Sequence, residues 1–247
     1  MSDQLLFGVA PYGAALVFVT ALAVRCVLRS RQTDRDVTAP WRVGAAGGAW
    51  RLALGVIALG HLAALVFPGF VLRWDLRLSR LVALEGVGFV AGSLAVAGAF
   101  VALVRLLRAA SHDRLRLHAD VVAATLLLVA TTSGVGMALL YRWASAWSVV
   151  TLVPYLYSLA RFEPSPNLVT HMPPLVKLHV LSAIALVTVF PFTATARVVL
   201  TPVDRLTGGA LAPMSRLFRP AWVAVEAWTA ARLQASVLFF RNREEEN

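Results

Sequence analysis

A chain of 247 residues that is 59% hydrophobic and only 15% charged falls well below the roughly one-quarter charged content of soluble domains. A water-soluble globular fold is excluded, and a bilayer is the implied solvent. The formal charge of +10, from 23 Lys and Arg against 13 Asp and Glu, sits at the ends of apolar runs. That placement marks topology signals and lipid headgroup contacts rather than nucleic-acid binding.

A membrane span needs about 20 apolar residues, and five stretches qualify: 5–28, 52–70, 81–104, 121–141 and 175–200. No basic region precedes the first, so no cleaved signal peptide is expected. The first span also holds the single cysteine, Cys26. One cysteine excludes an internal disulfide, a Cys-based zinc site and an iron–sulfur cluster held by this chain alone. The second span ends near Pro68 and Gly69, and the third is rich in small residues (Gly86, Gly88, Gly92, Gly98) that allow close helix approach. Between the fourth and fifth spans, Ala144–Leu159 is apolar but short and carries Trp147, Tyr155 and Tyr157. It reads as a surface-lying or re-entrant segment at headgroup depth, with a sixth span as the competing reading. Pro191 places a kink in the second half of the fifth span.

The fold class expected is therefore an all-α membrane protein, a five-helix bundle. Arg29, Arg31, Arg35 and Arg42 in the first loop, Arg105, Arg108, Arg114 and Arg116 in the third, and Arg205, Arg216, Arg219, Arg232, Arg241 and Arg243 in the tail share one side. The positive-inside rule makes that side cytoplasmic, with the N-terminus outside and the C-terminus inside. Residues 1–200 form the membrane domain. Residues 201–247 form a cytoplasmic amphipathic tail, with Trp222 and Trp228, that lies on the inner surface, docks on a partner or is simply solvated.

Of the five histidines, His112 and His118 fall in a basic loop and His171 precedes Met172-Pro173 in an outer loop, all ordinary solvated positions. His61 and His179 fall inside apolar spans, where an imidazole must turn into the bundle and find a partner. Two readings stand: a hydrogen bond to a neighbouring helix, or a bis-imidazole haem site with one ligand from each helix. Small residues beside His61 (Gly55, Ala58, Gly60, Ala63, Ala64) and Ser182 and Ala183 after His179 leave room for a porphyrin plate, as they would for ordinary helix packing.

The sequence resembles the gamma subunit of respiratory nitrate reductases, a membrane cytochrome b. The matching stretches are Ala10-Pro11-Tyr12, Gly60-His61 with Pro68 after it, Arg161-Phe162-Glu163-Pro164-Ser165-Pro166, and Lys177-Leu178-His179-Val180-Leu181 leading to Phe190-Pro191-Phe192-Thr193. They span most of residues 1–200 in the family's order. The resemblance implies five spans, N-terminus outside, in the cytoplasmic (inner) cell membrane. It implies that quinol is oxidised beside an outer haem b whose iron is held by residues matching His61 and His179. Electrons would then pass to an iron–sulfur subunit and on to a molybdenum-cofactor subunit where the nitrate chemistry occurs.

The family's inner-haem ligand positions fall on Arg51 and Arg197 here. Arginine stays protonated and offers no lone pair to iron, so one haem b is expected and a second is not. The two arginines either snorkel to inner headgroups or hold an anionic group such as haem propionates. Gly60 and Ala64 are expected to pack against the haem, and Arg73, Arg77 and Arg80 are candidate quinone contacts from their position alone. The alternative is a haem-free anchor or assembly subunit of a related oxidoreductase complex. A transporter would carry more buried acids than Glu85, the one clear acidic residue near a span.

Overall fold

A computed structural model describes residues 2–28, 47–108, 114–141, 143–193 and 196. Among these no strand occurs. A first turn α1 (Ser2–Gln4) and a π-helical turn (Leu5–Val9) lead into α2 (Ala10–Leu28). Then follow α3 (Gly47–Val66), α4 (Pro68–Asp75), α5 (Leu78–Arg108), α6 (Arg114–Leu140), α7 (Ala144–Ala160), α8 (Asn167–Thr170), α9 (Pro174–Val189) and a 3-10 turn (Phe190–Phe192). Five stretches are long and apolar enough to cross a membrane: Leu5–Val24, Gly48–Val66, Leu78–Arg108, Leu117–Leu140 and Pro174–Phe192. This is an all-helical, multi-pass membrane protein.

The chain divides into two compact units, Met1–Thr20 with Asp36–Val199, and Ala21–Arg35 with Leu200–Asn247. Of the second unit only Ala21–Leu28, the last turns of α2, is described. The expected tail 201–247 lies outside the described residues, as do Arg29, Arg31, Arg35, Arg42, His112, Arg142 and Arg197.

Prolines set the helix breaks. Expected to run over 52–70, the second span instead occupies Gly47–Val66. Phe67, at φ −127° and ψ 54°, leaves helical geometry because Pro68 crowds the residue before it, and Pro68 then opens α4 at a position that needs no N–H. Likewise α9 stops at Val189, and Pro191 sits in the tighter 3-10 turn that follows. The third and fourth helices outrun their expected spans because hydropathy marks only the apolar core. Helical hydrogen bonding continues into the basic ends at Arg105–Arg108 and Arg114.

Within the first unit the extensive contacts run in series, α3 on α5, α5 on α6 and α6 on α9. The seam of α5 explains how closely these helices approach. Its buried residues are Ala91, Gly92, Ala95, Gly98, Ala99, Ala102 and Leu106, nearly all small and repeating at three- and four-residue intervals. A Cβ on Gly92 would come within 2.8 Å of Val135 on α6. Large apolar side chains such as Leu52, Leu59, Leu107 and Leu139 are exposed instead, a surface suited to lipid.

The segment read as surface-lying is α7, and it caps one end of the bundle. Tyr157 Oη donates to the carbonyl of Leu65, near the end of α3. Tyr155 Oη donates at 2.7 Å to the carbonyl of Phe7. Both acceptors lie beside prolines that interrupt regular α-helical bonding: Pro11, four residues after Phe7, has no N–H, and the helix breaks between Leu65 and Pro68. Tyr12 Oη returns a bond of 3.0 Å to Leu159 O, and Lys177 pairs with Asp3 at 3.2 Å. Tyr155→Phe should cost about 1–3 kcal/mol because a buried carbonyl loses its donor. Tyr12→Phe should cost less, because Leu159 O keeps the N–H of Phe162. Denaturant unfolding of the detergent-solubilised protein would compare the two.

Candidate functional site

The two helices at the ends of the packing series, α3 and α9, carry His61 and His179. Their rings stand 6.2 Å apart, centre to centre, with planes inclined by 22°. His61 Nδ1 lies 2.8 Å from the carbonyl of Ile57, one turn back on its own helix. His179 Nδ1 lies 2.9 Å from Ala130 O on α6 and 3.3 Å from Ser133 Oγ. A carbonyl oxygen can only accept, so these bonds assign the proton to Nδ1 in both rings. Ser133 donates its own proton to Ala130 O at 2.9 Å, which leaves a hydroxyl lone pair for the His179 N–H. Each imidazole therefore keeps an Nε2 lone pair, in the tautomer and orientation in which metal-ligating histidines are commonly held.

The centre-to-centre distance is close to that of two imidazoles sharing one metal ion. Metal–imidazole bonds of about 2.0–2.1 Å, with roughly 1.1 Å more from each nitrogen to its ring centre, put two axial imidazole centres about 6.3 Å apart. Among the described residues no group of three or more His, Cys, Asp or Glu gathers around an ion. Two protein ligands suit a metal whose other four positions a macrocycle fills, as in haem. A Cβ on Gly134 would lie 3.3 Å from His179 Cε1, so the α6 backbone sits directly behind that ring, whereas a Cβ on Gly60 or Gly55 would meet nothing within 4 Å. Ala64 is half-buried one turn on, and Ser182, buried, donates to His179 O at 2.9 Å.

The opposite half of α3 is built differently. Arg51 is exposed, and its neighbour Trp50 is buried, its Nε1–H donating at 3.2 Å to Ala95 O on α5. Ala102, Leu54 and Leu127 close around that indole. Arg51, a cation, offers no lone pair to a metal at this depth, and Trp50 beside it fills the space against α5.

The expected quinone contacts sit on α4 and at the start of α5, at the end capped by α7. Arg73 Nε donates at 3.0 Å to Gly69 O on its own helix. The Arg80 guanidinium lies 4.8 Å from the ring centre of Trp74, which leans on Phe70 at 6.1 Å. Arg77 is exposed at the turn between the two helices. His118 and His171 are exposed, and so is His61, against the expectation that an imidazole in an apolar span turns fully into the bundle.

Sequence reasoning missed Ile57, Ala130, Ser133 and Gly134, which hold the imidazoles, and Trp50. It also missed Asp75. Glu85 Oε1 accepts both the N–H and the hydroxyl of Ser145 at 2.8 Å, supplying the N-terminus of α7 with an acceptor that its own Trp143 does not provide. Nearby, both carboxyl oxygens of Asp75 are buried without a hydrogen-bond partner among the described residues. Burial pushes the Asp75 carboxyl above its ordinary value of 3.8, Ser145 pulls against this, and the charge of Glu85 adds to the rise. Burial is the largest of these effects. A carboxyl raised in the folded state contributes stability in full below the unfolded value and loses it as pH rises through the folded one. Thermal unfolding should therefore show a midpoint that falls with rising pH in the wild type and falls less in Asp75→Asn.

The protein-family profile described as "Nitrate reductase gamma subunit" matches residues 3–216. No curated protein matches the chain. The match takes in both histidine-bearing helices and the α7 cap, and on it the chain belongs to the nitrate reductase gamma subunit family.

Proposed function

We propose that this chain is the membrane cytochrome b subunit of a nitrate-reductase-type complex, that it holds one haem b between His61 and His179, and that it oxidises quinol. Family membership supports the coarse reading, a membrane subunit of such an oxidoreductase. The observation that carries the finer one is the imidazole pair at 6.2 Å, with both Nδ1 atoms engaged by carbonyls.

A haem b held by the two imidazoles would supply one-electron redox chemistry. The chain's own residues do the rest. Ile57 O and Ala130 O, with Ser133, keep each imidazole in the tautomer whose Nε2 can bind metal. Gly134 lets α6 approach the His179 ring without a side chain between them. At the end capped by α7, Arg73, Arg77 and the Arg80–Trp74–Phe70 stack offer cationic and aromatic surface to a quinol headgroup. Electrons taken from quinol pass to an iron–sulfur subunit and then to a molybdenum-cofactor subunit, while protons leave on the outer side. The N-terminus faces outward and the C-terminus the cytoplasm. Residues 1–200 form the membrane domain, and the tail 201–247 lies on the cytoplasmic side.

Only one haem is proposed, because Arg51 and Arg197 stand at the second ligand pair and Trp50 fills the adjoining space. A dithionite-reduced minus oxidised spectrum of the purified chain, with haem quantified per polypeptide, tests this. About one haem b per chain, lost in His61→Ala and in His179→Ala, is the expected result. Two per chain would overturn the single-haem reading. None, in a folded protein supplied with haem, would make the chain a haem-free anchor subunit. A quinol-analogue titration should also weaken in Arg80→Ala.

A further inference from the structure

Of the helices that carry the imidazole pair, α3 has the less continuous support. Its long contact is with α5, it meets α4 and α7 near one end, and no comparable contact joins it to α9. The direction in which His61 points is therefore decided on the seam between α3 and α5. On the α5 side that seam is small-residue backbone, and a smooth surface of Gly and Ala does little to stop a helix from sliding or rolling.

Trp50 is the bulky α3 side chain set into it. The indole is only 5% exposed, and its N–H is anchored to Ala95 O. Gly98, one turn further along α5, provides its seat, because a Cβ there would overlap Cγ, Cδ1 and Nε1 of the ring. A ring held at its edge by a hydrogen bond and across its face by a notch fixes both the height and the rotation of α3. Trp50 and His61 are eleven positions apart. At 3.6 residues per turn this is about three turns, so the two side chains leave the helix within roughly 20° of one direction. The pin at the other end, Tyr157 to Leu65 O, holds a backbone carbonyl and so constrains height more than rotation.

Rotation matters because of its lever arm. With side-chain atoms about 5–6 Å from the axis, a roll of roughly 20° moves an imidazole tip by about 2 Å. That is a whole metal–nitrogen bond length. We infer that Trp50, seated on Gly98, is a positioning residue for haem ligation, setting the register in which His61 meets His179. The inference rests on the ligation reading above.

The test is a suppressor series in the full chain: Gly98→Ala, Trp50→Ala, and the two combined. Gly98→Ala places a methyl group where the indole sits, and haem per chain should fall about 10-fold, the scale on which outer-shell changes weaken metal sites. The remaining low-spin haem should show altered g-anisotropy, which reports the angle between the two imidazole planes. The combined variant relieves the overlap and should recover haem relative to Gly98→Ala. A Gly98→Ala protein with wild-type haem content and g-values would overturn the inference, as would a double variant no better than the single. Spin labels at His61→Cys and His179→Cys, in a background with Cys26→Ser, read the register without haem. A distance shifted by Gly98→Ala and restored in the double variant upholds the lock even if the wild type binds no haem, in which case the ligation reading alone fails. An unshifted distance overturns the lock.

Discussion

A polar group carried into an apolar span must find its partner inside the protein, because lipid offers none. In this chain that constraint is sharpest at two imidazoles. His61 answers it within its own helix, at Ile57 O, and His179 answers it across to α6, at Ala130 O and Ser133 Oγ. Satisfying the N–H in this way decides which nitrogen remains basic. The partner search forced by the membrane thus also leaves both rings with a free Nε2, on which the proposed haem ligation rests. The residues around the pair follow from the same need: Gly134 clears the approach of α6, and Trp50 on Gly98 holds α3 at its angle.

The same constraint shapes the end of the bundle covered by α7. Pro11 and Pro68 interrupt regular α-helical bonding, and tyrosines of α7 donate to the carbonyls of Phe7 and Leu65 beside them. A 17-residue helix, shorter than the spanning segments, thereby ties the N-terminal turn, α3 and α5 together through Tyr155, Tyr157 and the Ser145–Glu85 pair. Hydroxyls inside the spans are satisfied more cheaply, by bonding back to their own helix, as Ser93, Thr125, Thr131 and Thr188 do. The polar content of the spans is low, and most of it is engaged.

Hydropathy located the five spanning helices because the bilayer thickness imposes a length and a composition that can be counted along the chain. The ends were less legible. The second span was expected to run past Pro68, yet the chain breaks there, because the pre-proline restriction acts on Phe67 however apolar its neighbours are. Basic helix ends were undercounted for the opposite reason, since Arg105 and Arg108 continue a helix that a hydropathy window abandons. Asp75 went unnoticed because it reads as a loop acid until α4 and α7 bury it.

Residue type and depth could be read from the sequence by itself: two histidines in apolar runs, arginines at 51 and 197, small residues along the third span, and motifs that resemble one family. These are local properties, set by the cost of moving each group from water to lipid. Tertiary structure alone decided the pairings, because they join residues on different helices with no periodic signal between them. Ser133 meets His179 across 46 positions and Trp50 meets Ala95 across 45. Nothing in the one-dimensional pattern distinguishes those partners from other serines and alanines at similar depth. Helix packing angles and the glycine notches bring them together, and so the distance and tilt of the imidazole pair exist only in the folded chain.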